Sequence, residues 1–202
     1  MMNTMLKRVL ALVAISGSLA LFQGTATADD GSGLSADKQT KLGLYMTAKQ
    51  AYDYMMDDKN KALFLDIRTP GELNYLGAAS VMDFHVPMYY MDRSQWDDKK
   101  HRYVRAKNEN FIADIADRLQ RKGLAKDDTV ILMCRSGKRS AKAVDMLADA
   151  GYTKVYTVVD GYEGDKAKEG ADKGKRVVNG WKNSGLPWTY SLDKDLMYFI
   201  KE

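Results

Sequence analysis

The sequence is poor in the residues that build disulfides and metal sites. Its 202 residues include one cysteine, Cys134, and two histidines, His85 and His101. A single cysteine cannot form an internal disulfide, so it is either reactive or paired between molecules. Two histidines and one cysteine this far apart lack the spacing of zinc ligands. The sequence therefore predicts no metal site and no cofactor, and it favours a packed or hydrogen-bonded role for His85.

Long apolar runs are also scarce. The one extended run, 9–22, follows Lys7 and Arg8 and precedes the small residues 26–28. This order is typical of a cleavable signal peptide, and the run is short for a membrane span. We therefore expect a signal peptide at 1–28, cleaved after Ala28, and a periplasmic or secreted protein without stable membrane insertion. A retained anchor is the alternative.

A large excess of charge of one sign is absent. The formal net charge of the whole chain is +4. Loss of residues 1–28 removes two basic residues and no acidic one, which leaves a formal charge of +2. A nearly neutral chain with mixed charges does not have the basic signature of a nucleic-acid-binding protein, and we expect no nucleic-acid partner.

The most informative stretch is 134–140, Cys-Arg-Ser-Gly-Lys-Arg-Ser. It follows the short apolar run 129–133, which is typical of a buried parallel strand. It precedes a segment with the apolar spacing of a helix, which ends at Gly151. The cysteine therefore lies where a strand ends and a helix begins, which is where open α/β sheets place their ligand sites.

This position favours a reactive sulfur. N–H groups at the start of a helix lack intrahelical partners, and the helix dipole is positive there. Gly137 allows a tight turn that aims N–H groups at one anion. The side chains of Arg135, Lys138 and Arg139 add positive charge, and each of these effects favours the nucleophilic thiolate. The alternative is a cysteine packed as a small hydrophobe, which these charged neighbours disfavour.

Three segments resemble parts of the rhodanese-type sulfurtransferases. Segment 134–140 resembles the active-site loop of that family, and 65–73 (Leu-Asp-Ile-Arg-Thr-Pro-Gly-Glu-Leu) resembles its Asp-x-Arg segment. Segment 158–162 resembles the strand and glycine that follow, with Tyr162 where a second glycine is usual. The three come in the order of the family, and the resemblance extends over about 45–190.

The apolar patterns predict an α/β fold. Strands are expected at 62–67, 129–133 and 154–159, with one helix capped by Thr47 and another that starts at Asn110. Alternating strands and helices favour a mostly parallel central sheet with helices on both faces. This agrees with the single rhodanese-like domain that the resemblance implies.

The predicted layout is a flexible lead-in at 29–44, the domain at 45–190 and a tail at 191–202. The domain carries insertions at about 88–107 and 164–179, and Trp181 is expected to take the place of the family's closing tryptophan. The first insertion is either a surface loop, anchored by Tyr89, Tyr90 and Trp96, or a segment beside the active site that sets specificity. Neither insertion has enough apolar residues for a core of its own.

The resemblance implies sulfane-sulfur transfer. Cys134 would take sulfur from a small anionic donor such as thiosulfate and pass it, through a persulfide, to a thiol, to cyanide or to an acceptor protein. It also implies structural roles for Asp66 and Arg68, with Arg68 paired to Glu72. The predicted binding loop for the substrate and the persulfide comprises Arg135, Ser136, Gly137, Lys138, Arg139 and Ser140.

Two functions other than sulfur transfer by an enzyme can be compared with this loop. A phosphatase fits it less well, and a non-catalytic module fits it equally well. Cysteine phosphatases and arsenate reductases need an arginine six residues after the cysteine, where this chain has Ser140. Arg139 closes a smaller loop, which counts against a tetrahedral phosphate. A non-catalytic persulfide carrier or a protein-binding module would share the loop with the enzyme, and that alternative stays open.

Overall fold

A computed structural model describes residues 31 and 33–200 of the chain. The predicted signal peptide at 1–28 lies outside the described residues and remains a prediction from the sequence. Among the residues that the structure describes, no helix is both long enough and apolar enough to cross a membrane.

The core of the protein is a five-stranded sheet in which every neighbouring pair is parallel. This confirms the predicted parallel sheet. The two central strands are buried at every position, because helices cover both sides of the sheet. From one edge to the other, the strands are β1 (Tyr45–Met46), β8 (Val155–Val158), β7 (Thr129–Met133), β2 (Ala62–Asp66) and β4 (Phe84–His85).

Four helices flank this sheet: α1 (Ala48–Met56), α2 (Pro70–Leu76), α3 (Phe111–Arg121) and α4 (Lys138–Asp149). Thr47 caps α1 as predicted, and its hydroxyl accepts the Gln50 N–H. Thr69 caps α2 in the same way through Glu72. Such caps satisfy N–H groups that have no intrahelical partner.

Alternate side chains of the central strands belong to two separate apolar cores, one on each face of the sheet. Leu63 and Leu65 face the core that α3 and α4 cover, whereas Phe64 faces the core that α1 and α2 cover. Trp181 is fully buried in the second core, 5.5 Å from the ring of Phe64, as expected for a closing tryptophan. Helices on both faces, as predicted from the sequence, are therefore confirmed.

The first insertion forms an antiparallel hairpin, β5 (Tyr89–Asp97) and β6 (Arg102–Lys107), instead of a loop. Of the anchors named for the loop alternative, Tyr89 packs against the core, whereas the side chain of Trp96 is 53% exposed. Its ring instead contacts that of Tyr103 across the hairpin, edge to face, with centroids 5.3 Å apart. Neither strand of the hairpin contains a fully buried residue, so the two strands pair with each other and add little to the core.

The described part of the lead-in predicted at 29–44 contacts the domain. Residues Ala36–Lys38 form a 3-10 helix, and the Lys38 ammonium donates to Asp165 at 2.8 Å. The backbone N–H of Lys41 donates to Asp145 of α4 at 2.7 Å. The described part of the lead-in is therefore held by carboxylates of α4 and of the second insertion, which local sequence patterns do not show.

The chain returns to the domain at its C-terminal end. Strand β9 (Trp188–Thr189) pairs antiparallel with β3 (Ala78–Ala79), beside the start of the tail. Within the tail, Leu196 packs against the core under α1 and α2, whereas Tyr198 packs against the other core. The tail therefore contacts both layers of the fold.

Candidate active site

Cys134 lies directly after β7 and just before α4, as predicted. Its side chain is 1% exposed and lines the floor of a cleft. Its carbonyl oxygen accepts the N–H of Tyr162 at 2.8 Å, and the next carbonyl, of Arg135, accepts that of Glu163 at 2.9 Å. The segment after β8 therefore holds the loop in place through hydrogen bonds to the loop's carbonyl groups.

The N–H groups of the same loop remain available. Among the described residues, none of the N–H groups of 135–140 donates to a carbonyl, carboxylate or hydroxyl oxygen. Successive free N–H groups at the start of a helix form a concave site for an anion. The arrangement suits a negative charge on or next to the sulfur of Cys134.

Two glycines let this loop approach the strand beside it. Gly137 has φ +86, and a Cβ atom there would lie 2.1 Å from the carbonyl oxygen of Val159. Gly161 has φ +65, and a Cβ atom there would lie 2.5 Å from the backbone nitrogen of Ser136. Both positions need a left-handed conformation without a side chain, so glycine is required on each side of the contact.

Ser140 lies behind the sulfur and is part of a chain of hydroxyl groups. Its Oγ is 3.5 Å from Sγ of Cys134 and 2.9 Å from the carbonyl oxygen of Gly137. Thr157, on β8, donates to Ser140 Oγ at 2.7 Å. Since Thr157 supplies the proton of that bond, the Ser140 proton is free to turn toward the carbonyl or the sulfur.

Arg139 binds Glu72 instead of standing free in the cleft. Both of its terminal nitrogens donate to the two carboxylate oxygens of Glu72, at 2.8 and 2.5 Å. Burial alone would raise the pKa of Glu72, but the Arg139 guanidinium and the Thr69 N–H and hydroxyl lower it to about 2. Burial works against the charged form of Arg139, but the hydrogen bonds to Glu72 raise its pKa. The charge of Arg139 is therefore largely neutralised within the protein.

The expected pairing of Arg68 with Glu72 is wrong. Arg68 is fully buried and binds the carboxylate of Asp66, with an Nη2–Oδ2 distance of 2.6 Å, and the carbonyl oxygen of Gly77. Its guanidinium stacks on the ring of Tyr162, 3.7 Å from the centroid. Because the N–H of Tyr162 binds the Cys134 carbonyl, the Asp66–Arg68 pair supports the loop through that tyrosine.

His85 has the packed role predicted for it. Its ring is buried, and Nε2 lies 2.8 Å from the carbonyl oxygen of Arg68, to which a neutral ring donates. Burial is the main reason that its pKa is lowered. Within the described residues, no three His, Cys, Asp or Glu side chains form a group that could hold a metal ion.

The cleft above Cys134 has a volume of about 1150 Å³ and is built from five parts of the chain. These are the lead-in, the hairpin, the cysteine loop, the segment directly after β8 and the second insertion. The structure adds basic residues that sequence reasoning did not assign to the site, although the basic composition of both insertions was a usable signal. The basic lining residues outside the predicted loop are Lys38, Arg105, Lys166, Lys168 and Arg176.

Comparison with known proteins agrees with this geometry. The family model described as "Rhodanese-like domain" matches residues 47–168. The chain belongs to the rhodanese-like domain family. The match includes the hairpin, the cysteine loop and the start of the second insertion, and it ends before Arg176.

Individual relatives of this rhodanese-like protein are distant. The crystal structure of Rv0390 from M. tuberculosis is 28% identical, with a TM-score of 0.53 over 72% of this chain and 96% of that chain. An uncharacterized protein of Rickettsia rickettsii is 28% identical over 141 residues, which cover 70% of this chain and 93% of that protein. Thiosulfate sulfurtransferase 16, a chloroplastic protein of Arabidopsis thaliana, is 29% identical over 124 residues, which cover 61% and 77%.

Proposed function

We propose that this rhodanese-like protein is a sulfurtransferase that carries sulfane sulfur on Cys134. The observation that carries the proposal is the set of unpartnered loop N–H groups around a lone cysteine at the floor of a basic cleft. A persulfide is an anion that these N–H groups would stabilise. The name of the Arabidopsis relative supports thiosulfate as the class of donor.

The proposed reaction has two half-reactions that balance. The Cys134 thiolate attacks the outer sulfur of thiosulfate, the S–S bond of the donor breaks, and sulfite leaves with the bonding electron pair. A Cys134 persulfide remains. An acceptor thiolate or cyanide then attacks the outer sulfur, the Cys134 S–S bond breaks, and the thiolate returns. The two steps balance without an added oxidant or a metal. The loop N–H groups would stabilise the charged sulfur in both steps.

The test is the intact mass of the reduced protein after brief exposure to thiosulfate. We expect a gain of one sulfur atom that maps to Cys134 and disappears with cyanide. The Cys134→Ser protein serves as the control and should gain no mass while keeping its fold. Transfer at the full rate by Cys134→Ser would contradict the mechanism.

The same loaded protein separates an enzyme from a persulfide carrier. An enzyme should release its sulfur repeatedly to cyanide or small thiols, with many turnovers per molecule. A carrier should load once and keep its sulfur until an acceptor protein is added. Retention of the persulfide in the presence of small thiols would favour the carrier.

We also propose that the protein is exported through a signal peptide at 1–28. The charged start, apolar run and small residues before Asp29 support this proposal. The N-terminal sequence of protein purified from a cell that expresses the full gene tests it. A mature chain that begins at Asp29 and is found outside the cytoplasm is expected, and an intact N-terminus on cytoplasmic protein would contradict it.

A further inference from the structure

The cleft contains more positive charge than its own carboxylates neutralise. Asp160, one of its acidic lining residues, is already bound by the N–H groups of Ala48 and Gly180. Four lining cations face carboxylates, in the pairs Lys38–Asp165, Arg135–Glu163, Lys138–Asp37 and Arg139–Glu72. The remaining lining cations are Arg105, Lys166, Lys168 and Arg176, and Glu169 is the other acidic residue of the lining.

Arg105 and Arg176 are the two half-buried guanidinium groups among these remaining cations. Neither has a carboxylate within ion-pair distance among the residues that the structure describes. Arg176 donates one hydrogen bond, to the carbonyl oxygen of Gly164 at 2.5 Å. Arg105 comes from the hairpin and Arg176 from the second insertion, so each insertion contributes one unpaired guanidinium to the same cleft.

The surroundings of Arg105 are electropositive. Burial and the nearby charges of Arg139, Arg102 and Arg135 lower the pKa of Arg105 to about 10. Burial is the main cause that lowers the pKa of Arg176; the charge of Arg135 adds to it, whereas Glu163 and Asp165 act in the opposite direction. A bound anion would relieve this repulsion, and the planar guanidinium group fits a carboxylate through two parallel hydrogen bonds.

The size of the cleft also exceeds the needs of a compact anion. Its volume of about 1150 Å³ is slightly above the usual range of sites for drug-sized molecules, which is about 300 to 1000 Å³. Thiosulfate or cyanide at the sulfur of Cys134 would leave most of that space to water. A longer substrate could place its sulfur at Cys134 and an anionic group against the insertions.

We propose that Arg105 and Arg176 form a second anion subsite, which binds the carboxylates of an organic thiol that accepts sulfur from Cys134. This inference rests on the proposed function and names its acceptor class. In the transfer step, the acceptor thiolate attacks the outer persulfide sulfur, the Cys134 S–S bond breaks, and the acceptor leaves as a persulfide. The arginines take no part in bond breaking and act only on the remote end of the acceptor.

The experiment compares an acceptor that carries carboxylates with the same acceptor without them. Protein loaded with thiosulfate and freed of excess donor is mixed with glutathione, with glutathione diethyl ester or with cyanide, and persulfide loss is followed in a single turnover. We expect wild type to prefer glutathione over the ester by about tenfold or more. Arg105→Gln and Arg176→Gln should each lose about tenfold with glutathione and less than twofold with the ester and with cyanide.

Two control variants remove the same charge outside the cleft. Arg93→Gln lies on the exposed part of the hairpin, and Lys173→Gln lies on the exposed part of the second insertion. Both should keep the wild-type preference for glutathione. The subsite would be overturned if the rate of sulfur transfer fell equally with all three acceptors, or if the control variants showed the same fall. Either result would mean that the substitutions act through the overall charge of the protein and not through binding of the acceptor's carboxylates.

The outcome is separable from that of the proposed function. If wild type does not load with thiosulfate, the proposed donor chemistry fails. Binding of glutathione and of its ester to the Cys134→Ser protein, measured by calorimetry, then still tests the subsite. A protein that loads normally but binds and uses the ester as well as glutathione would contradict the subsite alone.

Discussion

Glu72, at the start of α2, accepts hydrogen bonds from Arg139, at the start of α4, at both of its carboxylate oxygens. The same carboxylate accepts the N–H and the hydroxyl of Thr69 in the cap of α2. The side chain of Glu72 therefore joins the cap of α2 to the first turn of α4, directly after the cysteine loop. Arg139 positions that loop, whereas the unpaired arginines of the cleft are better placed to meet an anionic substrate.

Replacing Glu72 by glutamine should destabilise the folded protein. The side chains of Arg139 and Glu72 are only 11% and 15% exposed, so the variant leaves a largely buried cation without its anion. We expect the free energy of unfolding to fall by about 3 kcal/mol, measured by urea denaturation. Asp53→Asn breaks the exposed pair with Lys49 and should cost less than about 1 kcal/mol. Equal costs for the two variants would argue against a structural role of the Glu72 pair.

The Glu72 pair also predicts how stability depends on pH. The pKa of Glu72 is about 2 in the folded protein, below its ordinary value of 4.5, so the unfolded state binds more protons between these values. The stabilisation is complete above pH 4.5 and is lost as the pH falls toward 2. The difference in unfolding free energy between wild type and Glu72→Gln should shrink by roughly 3 kcal/mol over this range. A difference that stays constant with pH would contradict this assignment.

Replacing Gly137 by alanine should distort the cysteine loop. The new Cβ would lie 2.1 Å from the Val159 carbonyl oxygen, so the backbone must move. We expect the rate of persulfide formation to fall by about a hundredfold, because small displacements of a nucleophile are costly. Gly151 has the same φ of +86 with nothing within 4 Å of its Cβ position. Gly151→Ala should cost about 1 kcal/mol of stability and leave the loading rate intact.

Removing the hydroxyl of Ser140 should slow sulfur loading. Its Oγ lies 3.5 Å from the sulfur and is the side-chain donor that faces it among the described residues. We expect Ser140→Ala to lower the rate of persulfide formation by about tenfold and Thr157→Val by a few-fold. Because Thr157 acts through Ser140, adding Thr157→Val to Ser140→Ala should change the rate little further. Independent, additive losses would show that the two hydroxyls do not act as a chain.

Patterns of residues close in sequence predict much of this fold. The apolar runs at β2 and β7 match strands buried on both faces, and Thr47 is a cap because its hydroxyl needs only a nearby N–H. The first insertion is harder to predict, because a mixed polar and aromatic segment fits a loop as well as a hairpin. In the structure, the two strands pair along their length, and Trp96 opposite Tyr103 is one of those pairs.

The sequence by itself determined the nature of the candidate site: a lone cysteine between a buried strand and a helix, in a glycine-containing basic loop. Only the tertiary structure decided which charges meet there. Glu72 binds Arg139 and not Arg68, and Tyr162 takes the place under Arg68, because contacts between residues far apart depend on the order of strands in the sheet. The same packing brings the two insertions to one cleft, since short-range periodicity carries no information about which distant loops become neighbours.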